Sequence, residues 1–351
     1  MNFSAELTTW YRSNKRDLPW RNTTDPYLIW LSEIILQQTR VDQGMSYYQR
    51  FAETYPTVSD LAVAPEDDVL RLWQGLGYYS RARNLHATAK KIRDSYNAVF
   101  PSQYEDILAL KGIGEYTAAA IGSFAFNMRK PVVDGNVMRV ISRFFGVSEP
   151  IDSKEGLLKI KAIAEELIAS SDPATHNQAM MEFGATCCTP KNVQCGSCPV
   201  RPGCFAYAHG QVDQFPLKKG KTKVVDVYMY YALVNTPNGY LMKKRVGEGI
   251  WEGLYDFPLV ESPQALDKKD ILASLQSNGL VVSEADIQQI SLPIKHLLSH
   301  RRLFVWFYHI NPHKFQKKWP EGYVMLSPSQ MASKGLPRVI EKYLKDINVY
   351  E

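Results

Sequence analysis

Five cysteines lie within eighteen residues, and this cluster restricts the fold more than any other feature of the sequence. They occupy the segment CCTPKNVQCGSCPVRPGC, residues 187–204, and no other cysteine occurs in the 351-residue chain. The N-terminus has no signal-peptide pattern, so we expect a cytoplasmic chain, in which clustered thiols bind metal rather than form disulfides. The sequence therefore predicts a loop that closes around a metal centre.

The spacing within the loop bears on which metal is bound. Cys188, Cys195, Cys198 and Cys204 are separated by six, two and five residues. Four thiolates can hold zinc or an iron–sulfur cluster. Zinc sites commonly combine two Cys-x-x-Cys pairs and this loop has one, which favours a [4Fe-4S] cluster and leaves zinc as the alternative. Cys187 is left over, and we expect it to pack as a small buried residue.

The pattern of apolar residues changes along the chain and predicts two regions. Up to residue 210 the apolar residues recur at helical spacing, in segments such as 28–52, 116–126 and 136–146. The segment 212–226 is rich in lysine and reads as an exposed linker. Beyond it, VYMYYALV and GYLMKKR flank NTPN, which is typical of a β-hairpin, and helical stretches near 267–277 and 337–346 complete an α+β domain.

Composition and charge narrow the classes of function. A hydrophobic content of 45% and a charged content of 22% are typical of a globular protein, and no apolar run is long enough to span a membrane. The net charge of +5 is modest, but residues 71–93 and 295–320 each contain six Lys or Arg and no acidic residue. Basic segments with interleaved aromatic residues suit nucleic acid, and a solvated basic face is the alternative.

Three short segments contain residues that suit phosphate binding or acid–base chemistry. In LKGIGEYTAAAIGSF, residues 110–124, Gly112 and Gly114 permit a tight turn before a helix whose free N–H groups favour an anion. Glu33 lies in the apolar run LIWLSEIILQQTR, where burial would keep its carboxyl protonated. Asp134 precedes a helix, so we expect hydrogen bonds from backbone amides to lower its pKa. A polar helix stripe and a simple helix cap are the plain structural readings of these two acids.

The cysteine spacing and the hairpin resemble those of the endonuclease III superfamily of helix-hairpin-helix DNA glycosylases. The chain also contains the segments LPWR, WLSEIILQQT, GLGYYSRARNL, VDGNVMRV and NQAMMEFGA. Together with the cysteine spacing and the hairpin, these segments resemble the adenine DNA glycosylase family, MutY, densely over residues 10–210. The resemblance implies a mainly α catalytic region at 1–211, with a six-helix core at about 25–130 and an iron–sulfur part formed by 1–24 and 131–211. It further implies a [4Fe-4S] cluster on the four cysteines and, in many members, a monovalent cation at the hairpin. Lys191 and Arg201 would supply the positive charge of the cysteine loop, which the resemblance implies to lie near the DNA.

The resemblance also implies a mechanism and its residues. It assigns Glu33 as the general acid that protonates adenine and Asp134 as the carboxylate that stabilises the sugar cation, with Tyr116 and Asn136 positioning them. Schiff-base members carry lysine where this chain has Tyr116, so we expect a monofunctional glycosylase without efficient lyase activity. The flipped adenine would be bound by Trp20, Arg21 and Gln178. The hairpin glycines would hold phosphate, and Gln38, Thr39, Leu76 and Tyr78 would contact DNA beside 8-oxoguanine on the opposite strand.

The C-terminal region 227–351 resembles the MutT-like (Nudix-like) domain of that family, through GIWEGLYDFP, residues 249–258. HLLSH, residues 296–300, matches its lesion-reading loop, so Leu298, Ser299 and His300 would meet 8-oxoguanine, with Leu298 replacing the usual Phe. The acidic box of MutT hydrolases is missing, and we predict no nucleotide hydrolysis. The expected partner is duplex DNA with A opposite 8-oxoguanine or G, bound by a monomer. A pyrimidine-specific glycosylase and a non-catalytic mismatch binder are the rival readings.

Overall fold

The change of sequence pattern near residue 220 coincides with a division of the chain into two units. A computed structural model of the protein describes residues 2–220, 224–247, 249–313 and 319–349. The first unit comprises Met1–Val63 with Asn84–Gly220, and the second comprises Ala64–Arg83 with Lys221–Glu351. Part of the expected linker, 221–223, and part of the second basic segment, 314–318, lie outside the described residues.

Up to residue 220 the described chain is helical, as its apolar spacing predicts. The predicted run 28–52 is two helices, because the chain leaves helical geometry at Gln37 and Gln38 has a positive φ of 54°. The helices are α1 (Phe3–Asn14), α2 (Pro26–Leu36), α3 (Val41–Thr54), α4 (Val58–Val63), α5 (Glu66–Leu72), α6 (Ser80–Ser95), α7 (Tyr104–Leu108), α8 (Glu115–Phe126), α9 (Gly135–Phe145), α10 (Lys154–Ile168), α11 (Pro173–Thr186) and α12 (Phe205–Ala208).

One hydrophobic core joins α1, α9, α10 and α11 to the cysteine loop. Leu7, Val140 and Phe183 are almost fully buried in it. Cys187 packs into the same core with 5% of its surface exposed, which confirms the prediction that it is a small buried residue. The start of the cysteine loop is therefore anchored to the helices that carry the candidate site.

The second unit contains a mixed sheet covered by helices. The predicted hairpin is confirmed, since Asn235 pairs with Tyr240 and Thr236 with Gly239. Residues 225–234 of the first strand pair in parallel with the whole of the seventh strand, whereas the other strand pairs are antiparallel. The elements are β1 (Val225–Thr236), β2 (Gly239–Lys244), β3 (Tyr255–Asp256), β4 (Leu259–Ser262), α13 (Lys268–Ser277), β5 (Ile287–Ile290), β6 (Ile294–Leu297), β7 (Arg301–Ile310), β8 (Tyr323–Leu326), α14 (Pro328–Ala332) and α15 (Arg338–Asp346).

Residues 64–83 pack in the second unit, although they were expected within the catalytic region 1–211. Asp67 accepts hydrogen bonds from Lys244 at 2.7 Å and from Lys334 at 2.9 Å. Arg83 forms an ion pair of 2.5 Å with Glu252. Residues 64–83 are thus joined to the rest of the second unit by ion pairs between side chains far apart in sequence. In the described part of the chain, none of the helices is both long and apolar enough to cross a bilayer.

Candidate active site

A cavity of about 190 Å³ in the first unit brings together all the residues predicted to act in catalysis or to bind adenine. Its walls come from the 3₁₀ turn Pro19–Arg21 and from α2, α8, α9 and α11, which are distant in sequence. The predicted residues that line it are Trp20, Arg21, Glu33, Thr39, Tyr116, Asp134, Asn136 and Gln178. Arg16 and Glu182, which sequence reasoning did not select, line it as well.

Glu33 is a buried acid because its helix is enclosed on most sides. Asp25 caps α2 through a 2.8 Å bond from the Tyr27 N–H, and Pro26 opens the helix. Trp30 and Leu31 have no exposed surface, and Glu33 itself is 6% exposed. Burial raises the pKa of Glu33 to about 7; the hydrogen bond from Tyr116 partly opposes this shift and the nearby Asp134 adds to it.

Tyr116 lies in the first turn of α8 and holds the Glu33 carboxyl. Its hydroxyl donates to Glu33 Oε2 at 2.6 Å. Burial, together with the Glu33 and Asp134 carboxyls, raises the pKa of Tyr116 well above its usual value, so the phenol keeps its proton at neutral pH. The turn before this helix contains Gly112 with a φ of +79°, a conformation that favours glycine.

Asp134 is the N-cap of α9, as its position before an apolar helical segment predicts. Its carboxylate accepts from the Val137 N–H at 2.8 Å and from Asn136 Nδ2 at 2.6 Å. The expectation of a lowered pKa was wrong: the pKa of Asp134 is raised, because burial outweighs the stabilising hydrogen bonds from Val137 and Asn136. Even so, Asp134 receives more donors than Glu33 does, which makes Glu33 the better candidate to hold a proton.

Asn136 is oriented by groups that sequence reasoning missed. Arg139 Nη2 donates to Asn136 Oδ1 at 2.9 Å, and it donates to the Gly184 carbonyl at 2.7 Å. A Cβ on Gly184 would lie 2.6 Å from the Asn136 Cβ, so only glycine permits this approach of α11 to α9. The spacing of Gly184 on α11 carries no local signal of this contact, which forms between distant segments.

The far wall of the cavity is held by an ion-pair network. Glu182, with a fully buried side chain, accepts from Arg16 Nε at 2.8 Å and Arg16 Nη2 at 2.7 Å, and from Arg21 Nη2 at 2.6 Å. These two arginines outweigh the desolvation of Glu182 and lower its pKa to about 2. One turn earlier on α11, Gln178 Oε1 accepts from the Tyr11 hydroxyl at 2.5 Å. Arg21 and Gln178 are therefore fixed before any ligand binds.

Other predicted residues lie outside this cavity. Gln38 is exposed in the left-handed turn after α2, and Gly112 and Gly114 are exposed in the hairpin. In the second unit, the exposed Tyr78 shares a hydrogen bond with the Ser299 hydroxyl, although 221 residues separate them. Other second-unit residues from the prediction differ in exposure: Leu76 is buried, Leu298 packs partly against the core, and His300 is exposed.

The five cysteines line a second cavity of the first unit, which the buried Arg143 adjoins. Arg143 Nη1 donates to Cys188 Sγ at 3.4 Å and to the Thr189 carbonyl at 2.7 Å, and Arg139 Nε donates to the Cys188 carbonyl at 2.8 Å. Guanidinium groups facing sulfur suit anionic thiolates. Among the described residues, no three His, Cys, Asp or Glu side chains form a group that could hold a single metal ion.

Comparisons with known proteins show which families and solved structures the chain is similar to. Residues 31–169 match the family described as HhH-GPD superfamily base excision DNA repair protein, and residues 229–346 match the NUDIX domain. An adenine DNA glycosylase of Buchnera aphidicola subsp. Baizongia pistaciae is 35% identical over 86% of this chain and 84% of its own length. Another, from Buchnera aphidicola subsp. Acyrthosiphon pisum, is 31% identical over 98% of this chain and 97% of its own. A solved structure of a thermostable thymine-DNA glycosylase is 29% identical with a TM-score of 0.55, over 59% of this chain and 95% of that one.

Proposed function

The chain belongs to the adenine DNA glycosylase family, whose members hydrolyse N-glycosyl bonds in base excision repair, and we propose that it removes adenine paired with 8-oxoguanine or guanine. The observation that carries the proposal is the pair of carboxyl groups in one cavity. Glu33 has a pKa near 7 and one hydrogen-bond donor, whereas Asp134 receives two donors as a helix cap. Two acids in such different environments can divide acid and cation-stabilising roles.

In the proposed reaction Glu33 supplies the proton. Its carboxyl donates to a ring nitrogen of adenine, the C1′–N bond breaks, and the bonding electrons leave with the base. Water then adds to C1′ and loses a proton to the Glu33 carboxylate, which restores the acid. Tyr116, protonated and 2.6 Å from Glu33 Oε2, keeps the carboxyl oriented through both steps.

Asp134 would act on the sugar side of the same bond. Loss of the base leaves an oxocarbenium-like sugar, and an adjacent carboxylate stabilises this cation or bonds to it transiently. Asn136 holds one Asp134 oxygen and is itself held by Arg139, so the carboxylate keeps a fixed direction. A reactive adenine reaches these groups only outside the helical stack, so the proposal includes base flipping into the cavity beside Trp20, Arg21 and Gln178.

The chemistry of the cavity also supports a monofunctional enzyme. Imine formation with C1′ needs a nucleophilic amine. Tyr116 stands at the position of the Schiff-base lysine, and none of the described residues that line the cavity is a lysine. We therefore propose that the enzyme releases the base without efficient strand cleavage.

The cysteine loop fits an iron–sulfur cluster as the resident metal group. Cys188, Cys195, Cys198 and Cys204 would hold a [4Fe-4S] cluster, whose contribution would be to stabilise the loop. Arg143 faces Cys188 Sγ, where it would offset the negative charge of the thiolates. Metal analysis of the purified chain separates this proposal from zinc, since iron and sulfide in equal amounts support a cluster.

We propose that the second unit reads the lesion and does not hydrolyse nucleotides. Ser299 and Tyr78 present linked hydroxyls on an exposed edge of that unit, where they can contact DNA beside the 8-oxoguanine. The acidic box of MutT hydrolases is missing from the sequence.

The proposed activity is tested by base release from duplexes. Adenine opposite 8-oxoguanine, G, C or T is supplied at enzyme excess, and we expect the fastest release opposite 8-oxoguanine and G. Glu33→Gln and Asp134→Asn should abolish release while retaining binding to the lesion duplex, because both replacements preserve shape. Release of thymine or oxidised pyrimidines instead of adenine would overturn the assignment, as would turnover by either variant.

A further inference from the structure

A buried tyrosine outside the cavity forms a hydrogen bond that orients an amide group in the cavity wall. Tyr11, on α1, is 4% exposed, and its hydroxyl donates to Gln178 Oε1 at 2.5 Å. This separation is typical of an O–H···O bond and short for a bond from an amide nitrogen, which indicates that the amide oxygen faces Tyr11. The orientation of the Gln178 amide is thus set by a residue that does not line the cavity.

Fixing one end of the amide determines what the cavity offers to a base. With Oε1 engaged by Tyr11, Gln178 presents its Nε2 donors and the second lone pair of Oε1. The guanidinium of Arg21 lies 5.7 Å from the centre of the same tyrosine ring, and it donates a hydrogen bond to Glu182. Tyr11 therefore contacts two cavity residues at once, and both are restrained without ligand.

We propose that Tyr11 is a positioning residue that makes the cavity selective for adenine over purines with an oxo group at C6. The inference rests on the proposed function and on Gln178 as a base-contacting residue. A glutamine amide pairs with the Watson–Crick edge of adenine by donating to N1 and accepting from the 6-amino group, which leaves the other ring nitrogens free for Glu33. A 6-oxo purine presents an acceptor at C6 and a donor at N1, the reverse of adenine. Turning the amide over to suit it would replace the O–H···O bond from Tyr11 with an N–H···O bond to the same hydroxyl, at a separation that suits such a bond poorly.

The test compares two target bases in otherwise identical duplexes. Single-turnover release of adenine and of hypoxanthine, each opposite 8-oxoguanine, gives a selectivity ratio for each enzyme variant. Intrinsic differences between the leaving bases cancel when ratios are compared between variants. Tyr11→Phe should lower the adenine-to-hypoxanthine ratio about tenfold, as expected for the loss of one orienting hydrogen bond. Equal slowing of both bases, or an unchanged ratio, would mean that Tyr11 has only a structural role.

Two further variants make the result specific. Tyr27→Phe is the matched control, because the Tyr27 hydroxyl is equally buried, donates to the Tyr55 carbonyl at 2.7 Å and lies away from the cavity. Its selectivity ratio should equal that of the wild type. In a Gln178→Ala background, Tyr11→Phe should cause no further change in the ratio, and a further change would overturn the inference. A wild-type protein that releases no adenine would overturn the proposed function, and the inference with it.

Discussion

At Glu33, burial has a direct consequence for the proposed reaction. A general acid must carry its proton, and burial raises the pKa of Glu33 to about 7. The base-release rate should therefore be high below pH 7 and fall above it, with the rate at pH 8 about tenfold lower than at pH 6. A single-turnover pH profile measures this directly, and a rate that stays flat from pH 6 to pH 8 would exclude Glu33 as the acid.

The same burial makes the stability of the folded state depend on pH, and the raised pKa of Glu33 defines the direction of this dependence. Its pKa in the folded state lies above the unfolded value of 4.5, so its contribution to stability is complete below pH 4.5 and is lost as pH rises through 7. Glu33→Gln removes this loss. The unfolding free energy of the variant, relative to that of the wild type, should therefore rise by up to about 3 kcal/mol from pH 5 to pH 8. Denaturant unfolding at the two pH values checks it. Glu166→Gln, at an exposed position of α10, is the control and should show no such gain.

At the scale of elements, the candidate site depends on how closely α11 approaches α9. The Gly184→Ala variant would place a methyl group 2.6 Å from the Asn136 Cβ and 3.0 Å from its backbone oxygen, so the helices must separate. We expect a loss of about 1–3 kcal/mol in unfolding free energy and slower adenine release, because Asn136 positions Asp134. Gly135→Ala is the matched control: a Cβ there has no neighbour within 4 Å, and its unfolding free energy should stay near that of the wild type.

Most helices of the first unit and the strands of the hairpin could be predicted from sequence because their signals are local. Asp134 as a cap, the hairpin at NTPN and α8 after its glycine turn follow from neighbouring residues alone. The short strands β3, β4, β5, β6 and β8 were not predicted, since two to four residues carry too little periodicity. Arg16 and Glu182 were missed for a different reason: an ion pair across 166 residues leaves no local pattern. The raised pKa of Asp134 was missed because burial depends on the whole cavity.

At the scale of the whole molecule, the assignment of residues 64–83 to the second unit bears on how lesion reading is tested. Truncating the chain after Gly220 would remove Ser299, but it would also strip Asp67 and Arg83 of their ion-pair partners. A truncated chain would therefore lose stability as well as lesion contacts, and its slower release of adenine would have two causes.

A single substitution separates these causes. Ser299→Ala removes one exposed hydroxyl and leaves every ion pair of residues 64–83 in place. If this hydroxyl contacts the lesion, the preference for adenine opposite 8-oxoguanine over adenine opposite G should fall about fivefold to tenfold, the usual effect of one hydrogen bond. Release opposite G and thermal unfolding should change little, because the Ser299 side chain is exposed. Ser333→Ala, on the exposed end of α14, is the control substitution. A preference that survives Ser299→Ala unchanged would place lesion recognition elsewhere in the chain.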